Sequence, residues 1–258
     1  MPLSGGRRAL LGRLGRRRTR KREGRVLVEG RRAVAEALDA GAEPRFAVVS
    51  PGFAESPAGR ALESRLRGAD CDMVEVEDAV LDEVAHTERP QGVILVAEEP
   101  HAPELTALPS PGRYLILDGV QDPGNVGTLV RSAVAFALDG VVVLDGTADP
   151  WSPKAVRAAA GATFHLPVAA ASGKEVPGWC RASGLSLVVA AGEGTDIAAW
   201  PEAPGWALVV GNEGAGVREA LREAADATVR IPMENSLDSL NAGVAGSILL
   251  YAMTVTRE

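Results

Sequence analysis

The 258-residue sequence predicts an α/β protein of two domains, the second built on a parallel sheet. Three observations lead there. Short apolar and β-branched runs alternate with stretches of helical period along the chain. A proline-bearing stretch without period, residues 98–113, divides that alternation in two. Beyond it the strand candidates are apolar almost throughout, as strands covered on both faces are.

In the first half, residues 26–28, 46–49, 73–76 and 93–96 read as strands. Between them, 31–40 (Ala33, Val34, Ala37, Leu38) and 58–67 (Ala61, Leu62, Leu66) have helical spacing and run into Gly41 and Gly68, residues that favour a helix end. A shorter helix is expected over 78–86. Pro100, Pro103, Pro109 and Pro111 mark the linker. In the second half, strands are expected at 114–117, 141–144, 185–190, 206–210 and 228–231, with helices near 126–138, 153–160, 217–224 and 239–255. The domains are therefore a basic arm at 1–24, an α/β domain at 25–98, a linker at 99–113 and a second α/β domain at 114–258.

Composition narrows the function. With 46% hydrophobic and 24% charged residues the chain is ordinary for a globular protein, and 4% aromatics leave little for base-stacking platforms. No apolar run approaches the ~20 residues of a membrane span, and residues 9–11 are too short for an export signal, so the cytoplasm is the expected location. Cys71 and Cys180 stand far apart, and His86, His101 and His165 are scattered, which argues for buried thiols and no metal. The net charge of −7 conceals an asymmetry: residues 1–25 carry ten basic side chains against Glu23, or +9, and the other 233 sum to −16. A basic arm on an acidic body suits a polyanionic partner, since each neutralised phosphate releases counterions; a merely solubilising tail is the plainer alternative.

Three segments hold the candidate chemistry, each following a strand, where ligands of such sheets bind. In 117–131, Leu-Asp-Gly-Val-Gln-Asp-Pro-Gly-Asn-Val-Gly-Thr-Leu-Val-Arg, a strand gives way to a turn and a helix. Arg131 lies off that helix's apolar stripe, and Asn125, six residues earlier, is about 240° away around an ideal helix. The two meet only if Asn125 projects from the loop or first turn; otherwise Asn125 caps a turn and Arg131 is a solvated surface residue. In 208–217, Leu-Val-Val-Gly-Asn-Glu-Gly-Ala-Gly-Val, glycines at 211, 214 and 216 let the backbone approach a ligand closely. Their spacing is not GxGxxG, and Ile231 stands where an acidic ribose ligand would be expected, which disfavours a nicotinamide enzyme. Glu213 in this turn either orients a partner or is exposed. In 231–251, Ser239-Leu240-Asn241 leads into a helix with small residues at Ala242, Gly243, Ala245 and Gly246, and Ser239 is a natural helix cap.

Together these segments resemble the signature motifs of the SpoU (TrmH) family of RNA 2′-O-ribose methyltransferases, of the SPOUT class. The likeness covers about 114–251. The stretch 20–30, Arg-Lys-Arg-Glu-Gly-Arg-Val-Leu-Val-Glu-Gly, is similar to the family's auxiliary substrate-binding domain, which resembles ribosomal protein L30e. The resemblance implies an L30e-like α/β domain followed by a SPOUT α/β domain with a C-terminal trefoil knot, S-adenosylmethionine as cofactor, and a homodimer formed through the methyltransferase domain and its last helix. By motif position it implies that Gly211, Ile231, Met233 and Leu240 contact the cofactor. It makes Arg131, held by Asn125, the group that deprotonates or positions the ribose hydroxyl, with Glu213, Ser239 and Asn241 orienting. A guanidinium stays protonated in proteins, so anchoring the neighbouring phosphate is the better role for Arg131.

The implied substrate is ribosomal RNA, with transfer RNA, or a non-catalytic RNA-binding or assembly role, as alternatives. Loss of Asn125, Arg131, Glu213 or Asn241 would mark the non-catalytic case, and all four are present. The chain departs from the family pattern in two places, Ala159 where serine is common and Ala242-Gly243 where Val-Ser is common, and both substitutions are expected near the pocket.

Overall fold

The computed structural model describes residues 3–88, 90–201, 203–234 and 240–255. In chain order the first half carries α1 (Gly5–Leu14), α2 (Arg17–Glu23), β1 (Arg25–Glu29), α3 (Arg31–Asp39), β2 (Pro44–Val49), α4 (Pro57–Gly68), β3 (Asp72–Glu75), α5 (Asp78–Val84) and β4 (Val93–Glu98). The second half carries β5 (Arg113–Asp118), α6 (Pro123–Ala135), β6 (Gly140–Leu144), α7 (Pro153–Ala158), β7 (Val168–Ala171), α8 (Val176–Ala182), β8 (Ser186–Asp196), β9 (Trp206–Gly211), α9 (Glu219–Ala224), β10 (Ala227–Arg230) and α10 (Ala242–Thr254). The chain forms two compact units, Met1–His101 with Asp149–His165, and Ala102–Ala148 with Leu166–Glu258.

The first unit is a four-stranded sheet in the order β1-β4-β2-β3, antiparallel except for the parallel pair of β2 and β3. Its basic N-terminal stretch is folded. Ser4 caps α1 by accepting from the Arg7 amide, and α2 ends at Gly24, whose φ of +61° closes the helix in the left-handed region. Leu10, Leu11 and Leu14 of α1 join Leu27, Phe46 and Ile94 in the core. Arg20 is only 1% exposed. A buried guanidinium needs an anion and acceptors, and Arg20 finds both: Nη1 donates to the Leu14 carbonyl at 2.6 Å, and Nη2 pairs with Asp149.

Asp149 opens the stretch that joins this unit from the second half of the sequence. In it, Arg157 faces Glu29 at 3.6 Å and His165 meets Glu36 at 2.9 Å. Gly161, at φ +85°, packs where a Cβ would overlap the Ala33 carbonyl oxygen. The units therefore do not follow a single cut in the sequence. Ala159, expected near a ligand pocket, is instead a buried contact of this first unit.

The second unit holds a fully parallel six-stranded sheet in the order β10-β8-β9-β5-β6-β7. Two of its elements were not anticipated. β7 is Val-Ala-Ala-Ala, too small and too little β-branched to signal a strand, and α8 carries Pro177 and Gly178, poor helix formers. α6 stops three residues before the expected end, because Ala137 turns to φ +52° and the amide of Leu138 reaches back to the Ala133 carbonyl. α10 is capped by Asn241, whose side-chain oxygen accepts from the Val244 amide at 3.2 Å; Ser239, the expected cap, lies outside the described residues.

The small residues of α10 face inward. A Cβ at Gly246 would overlap Leu129 of α6, and Gly243 lies against Asn125. The outer face instead shows Val244, Ile248, Tyr251 and Val255. Among the described residues no helix is long and apolar enough to cross a membrane, and no three metal-ligating side chains cluster. Cys71 and Cys180 are buried free thiols, and burial pushes both up, to about 11 and about 12.

Replacing Arg20 by Met leaves the Asp149 carboxylate without its buried partner. The expected cost is about 3 kcal/mol, read as a lower urea midpoint of the full-length protein. An unchanged midpoint would show that the pair holds nothing together.

Candidate active site

The carboxyl ends of β5, β9, β8 and β10 lie side by side, so the chain leaves the sheet at neighbouring points. Asp118, the last residue of β5, is in register with Gly211, the last of β9. Between these strand ends and α10 lies a cavity of about 200 Å³. Gly211 and Glu213 line it from the turn after β9, Ile231 and Met233 from the segment after β10, and Leu240 from the approach to α10. Four of the expected cofactor contacts and one expected orienting group thus meet in one place. Its walls are small or apolar, with Ala191 and Gly192 of β8, Val210, and Ala242 and Ala245 of α10.

The turn at 211–217 is shaped by its own backbone and by Asn212. Asn212 and Gly216 exchange backbone hydrogen bonds of 3.0 and 2.9 Å. The Asn212 side-chain oxygen accepts from the amides of Gly214 and Ala215, and its nitrogen donates to the Gly119 carbonyl at 2.8 Å. Gly211 is required for closure, because a Cβ there would overlap the Gly216 carbonyl carbon and the Val217 nitrogen. The far end is anchored by Arg218, whose amide and Nε both donate to the buried Asp118 carboxylate, at 2.8 and 2.7 Å. Nη2 of Arg218 continues to the Asp145 carbonyl. Asp118, Asn212 and Arg218 were missed in the sequence. The one available signal was an Asn-x-Gly sequence at a strand end, which favours an Asx turn.

Glu213 and Asn125 form the polar centre. Asn125 sits in the first turn of α6, buried, and its Nδ2 donates to Glu213 Oε1 at 2.8 Å, while the Gln121 amide reaches Oε2 at 3.4 Å. Partial burial pushes the Glu213 carboxyl up, but hydrogen bonds from Asn125 and from the amides of Glu213, Gln121 and Asp122 outweigh it and hold it below its ordinary value. Its contribution to stability is therefore present above the ordinary carboxylate range and is lost as pH falls through the depressed value. Asn241 completes the group: its side-chain oxygen and that of Asn125 each lie 3.2 Å from the position of a Cβ on Gly243.

Arg131 is not among the residues lining this cavity. It lies exposed on α6 and has no ion pair among the described residues. Asn125 bonds to Glu213 rather than to Arg131, since both lie on one helix and six residues set them apart around its axis.

A Gly211→Ala substitution forces the turn open against backbone that cannot yield. We expect a loss of about 1–3 kcal/mol, visible as a lower heat-unfolding midpoint; a variant as stable as the parent would mean that the turn does not need glycine there.

The SpoU rRNA Methylase family matches residues 112–251, and an MRM3-like substrate binding domain matches residues 10–95. The chain is 36% identical to the 23S rRNA (guanosine(2553)-2′-O)-methyltransferase RlmP of Bacillus subtilis (strain 168), over 91% of this chain and 90% of that protein. It is 33% identical to the 23S rRNA (uridine(2479)-2′-O)-methyltransferase of Streptomyces viridochromogenes, over 92% and 85%. Its fold is similar to the crystal structure of an AdoMet-bound rRNA methyltransferase from Sinorhizobium meliloti, with a TM-score of 0.85 and 28% identity over 98% and 95% of the two chains. A match over more than half of its length, with two relatives aligned nearly end to end, makes this chain a member of the SpoU rRNA methylase family.

Proposed function

We propose that the protein methylates a ribose 2′-hydroxyl of ribosomal RNA, with S-adenosylmethionine as donor. The observation that carries this reading is the cavity at 211–249, where the glycine turn, Ile231, Met233 and Leu240 meet beside the Glu213–Asn125 pair. The cavity fits the cofactor in kind: small side chains leave room, apolar walls suit the adenine ring, and the glycine-rich turn exposes backbone to its polar groups. Gly211, Ile231, Met233 and Leu240 would hold it. When bound, it supplies an electrophilic methyl group on a sulfonium.

The chain's own residues place the nucleophile. Glu213, kept ionised by its hydrogen bonds, fixes the Asn125 amide, and Asn241 holds the start of α10 beside them. Arg131, exposed and without an ion pair among the described residues, anchors the phosphate next to the reacting ribose and lowers the cost of the forming alkoxide. Ser239 belongs to the same set by motif position. In this reading the methyltransferase domain carries a C-terminal trefoil knot, and the N-terminal unit, L30e-like in kind, grips the RNA.

Two further parts of the proposal rest on surfaces. The apolar stripe Val244, Ile248 and Tyr251 of α10, continued by Val255, suits a second copy of the chain, so the enzyme works as a homodimer; a cytoplasmic location belongs to the same reading through the ribosomal RNA substrate. Arg16 and Arg18, exposed and without ion pairs among the described residues, suit RNA phosphates. They are better probes than removal of the arm, which would also remove Leu10, Leu11 and Leu14 from the core.

Unmodified ribosomal RNA incubated with labelled S-adenosylmethionine should acquire one or a few 2′-O-methyl groups. Binding of both ligands with no transfer would overturn the reading. Arg131→Lys should lower kcat about 100-fold with RNA affinity little changed, because lysine lacks the bidentate fork; near-normal turnover would remove Arg131 from that role. Arg16→Gln with Arg18→Gln should flatten the salt dependence of RNA binding by roughly one unit of slope per lost contact, and an unchanged slope would return both to plain solubility. Ile248→Glu with Tyr251→Glu should shift sedimentation from dimer to monomer; a dimer that survives must use another surface.

A further inference from the structure

The first unit contains a second polar cavity, of about 270 Å³, lined by Glu29, Gly30, Arg32, Thr87, Gln91 and Arg157 among others. Its floor is unusual. Glu29 ends β1 with its side chain 2% exposed, and its two oxygens differ. Oε1 accepts from the His86 amide at 2.5 Å. Oε2 has no hydrogen-bond partner among the described residues, and the nearest cation, Nη1 of Arg157, stays 3.6 Å away. A pair that served packing alone would close to hydrogen-bond contact, since an orphaned buried acceptor costs free energy. Burial accordingly raises the Glu29 carboxyl above its ordinary value, against the lowering effect of the His86 amide and Arg157. Two of the lining residues, Arg32 and Arg157, are exposed cations. Gly30, at φ +95°, lets the wall close on Gln91, because a Cβ there would press on the Gln91 side-chain oxygen.

A buried acceptor beneath two exposed guanidiniums is complementary to one kind of ligand. A phosphate alone would be repelled by the carboxylate at the floor. An unpaired nucleotide offers both halves: a base with an exocyclic amine to donate downward and a phosphate to meet the arginines above. Bases splayed from single-stranded RNA are read in this way on their Watson–Crick edges, and a carboxylate accepting from the cytosine amine is among the expected pairings. We infer that this cavity in the first unit binds one unpaired nucleotide of the RNA substrate and selects an amino-bearing base, as in cytidine, over the keto face of uridine. The inference rests on RNA being the substrate, but not on methyl transfer.

The test uses the full-length protein and two mononucleotides, followed through the backbone amide of His86 by NMR titration. 5′-CMP should perturb that amide and bind about tenfold more tightly than 5′-UMP, the worth of one hydrogen bond to a charged acceptor. CMP dimethylated on its exocyclic nitrogen, which keeps the ring and phosphate but has no proton to donate, should lose the advantage. In Glu29→Gln, the carboxamide oxygen remains on the His86 amide and its NH2 turns toward the cavity, so the preference should invert toward UMP. Equal binding of CMP and UMP to the parent protein, retention of the preference by dimethylated CMP, or no response at His86 would each overturn the inference, whether or not the variant folds. Selectivity without methylation of ribosomal RNA would overturn only the proposed activity, and methylation without selectivity only this pocket.

Discussion

The buried carboxylate of Asp118 is the constraint on which the catalytic unit depends. It ends the central strand of the site, and at 3% exposure it would be costly without partners. Both partners come from Arg218, one through its backbone amide and one through its guanidinium. This fixes the far end of the turn that begins at Gly211, while Asn212 fixes its near end to Gly119. A seven-residue segment with three glycines has high conformational entropy to lose. Closing it at both ends onto one strand gives Glu213 a fixed origin, from which it can meet Asn125 across the gap between β9 and α6.

Much of this was legible in the sequence where local pattern and tertiary role coincide. Every strand with a β-branched run was legible, as were the glycine turn and the segment that follows β10. What escaped depended on partners distant in sequence. β7 is a strand because Val168–Ala171 lies beside β6, not because its alanines favour extension. Asn241 caps α10, and serine and asparagine are equally good caps by residue type, so no local rule picks the position. The small residues of α10 carry no local sign of their partner, yet Gly243 and Gly246 serve its close approach to α6. Asp118 and Arg218 stand a hundred residues apart and carry no mutual signal.

Charge count also concealed a division of labour. The ten basic residues at the N-terminus form one statistical feature, but they have separate tasks. Arg20 is part of the core, Lys21 reaches Glu99, and Arg22 reaches Glu23, while Arg16 and Arg18 face solvent. A net charge of +9 thus overstates the charge available to an external polyanion. The hydrophobic spacing of Leu10, Leu11 and Leu14 was the evidence that this stretch folds, and dense arginine obscured it.

The contribution of residues 149–165 to the first unit has a consequence for modularity. Arg20 and Glu29 take their opposite charges from Asp149 and Arg157, and Glu36 its hydrogen-bond partner from His165, all supplied from within the span that the methylase family covers. The first unit is therefore not a cassette. A recombination that joined residues 1–101 to a different catalytic partner would carry a buried arginine with no counter-ion. Exchange of substrate specificity between relatives must bring the internal segment along or evolve it anew, which favours inheritance of the two units as one piece.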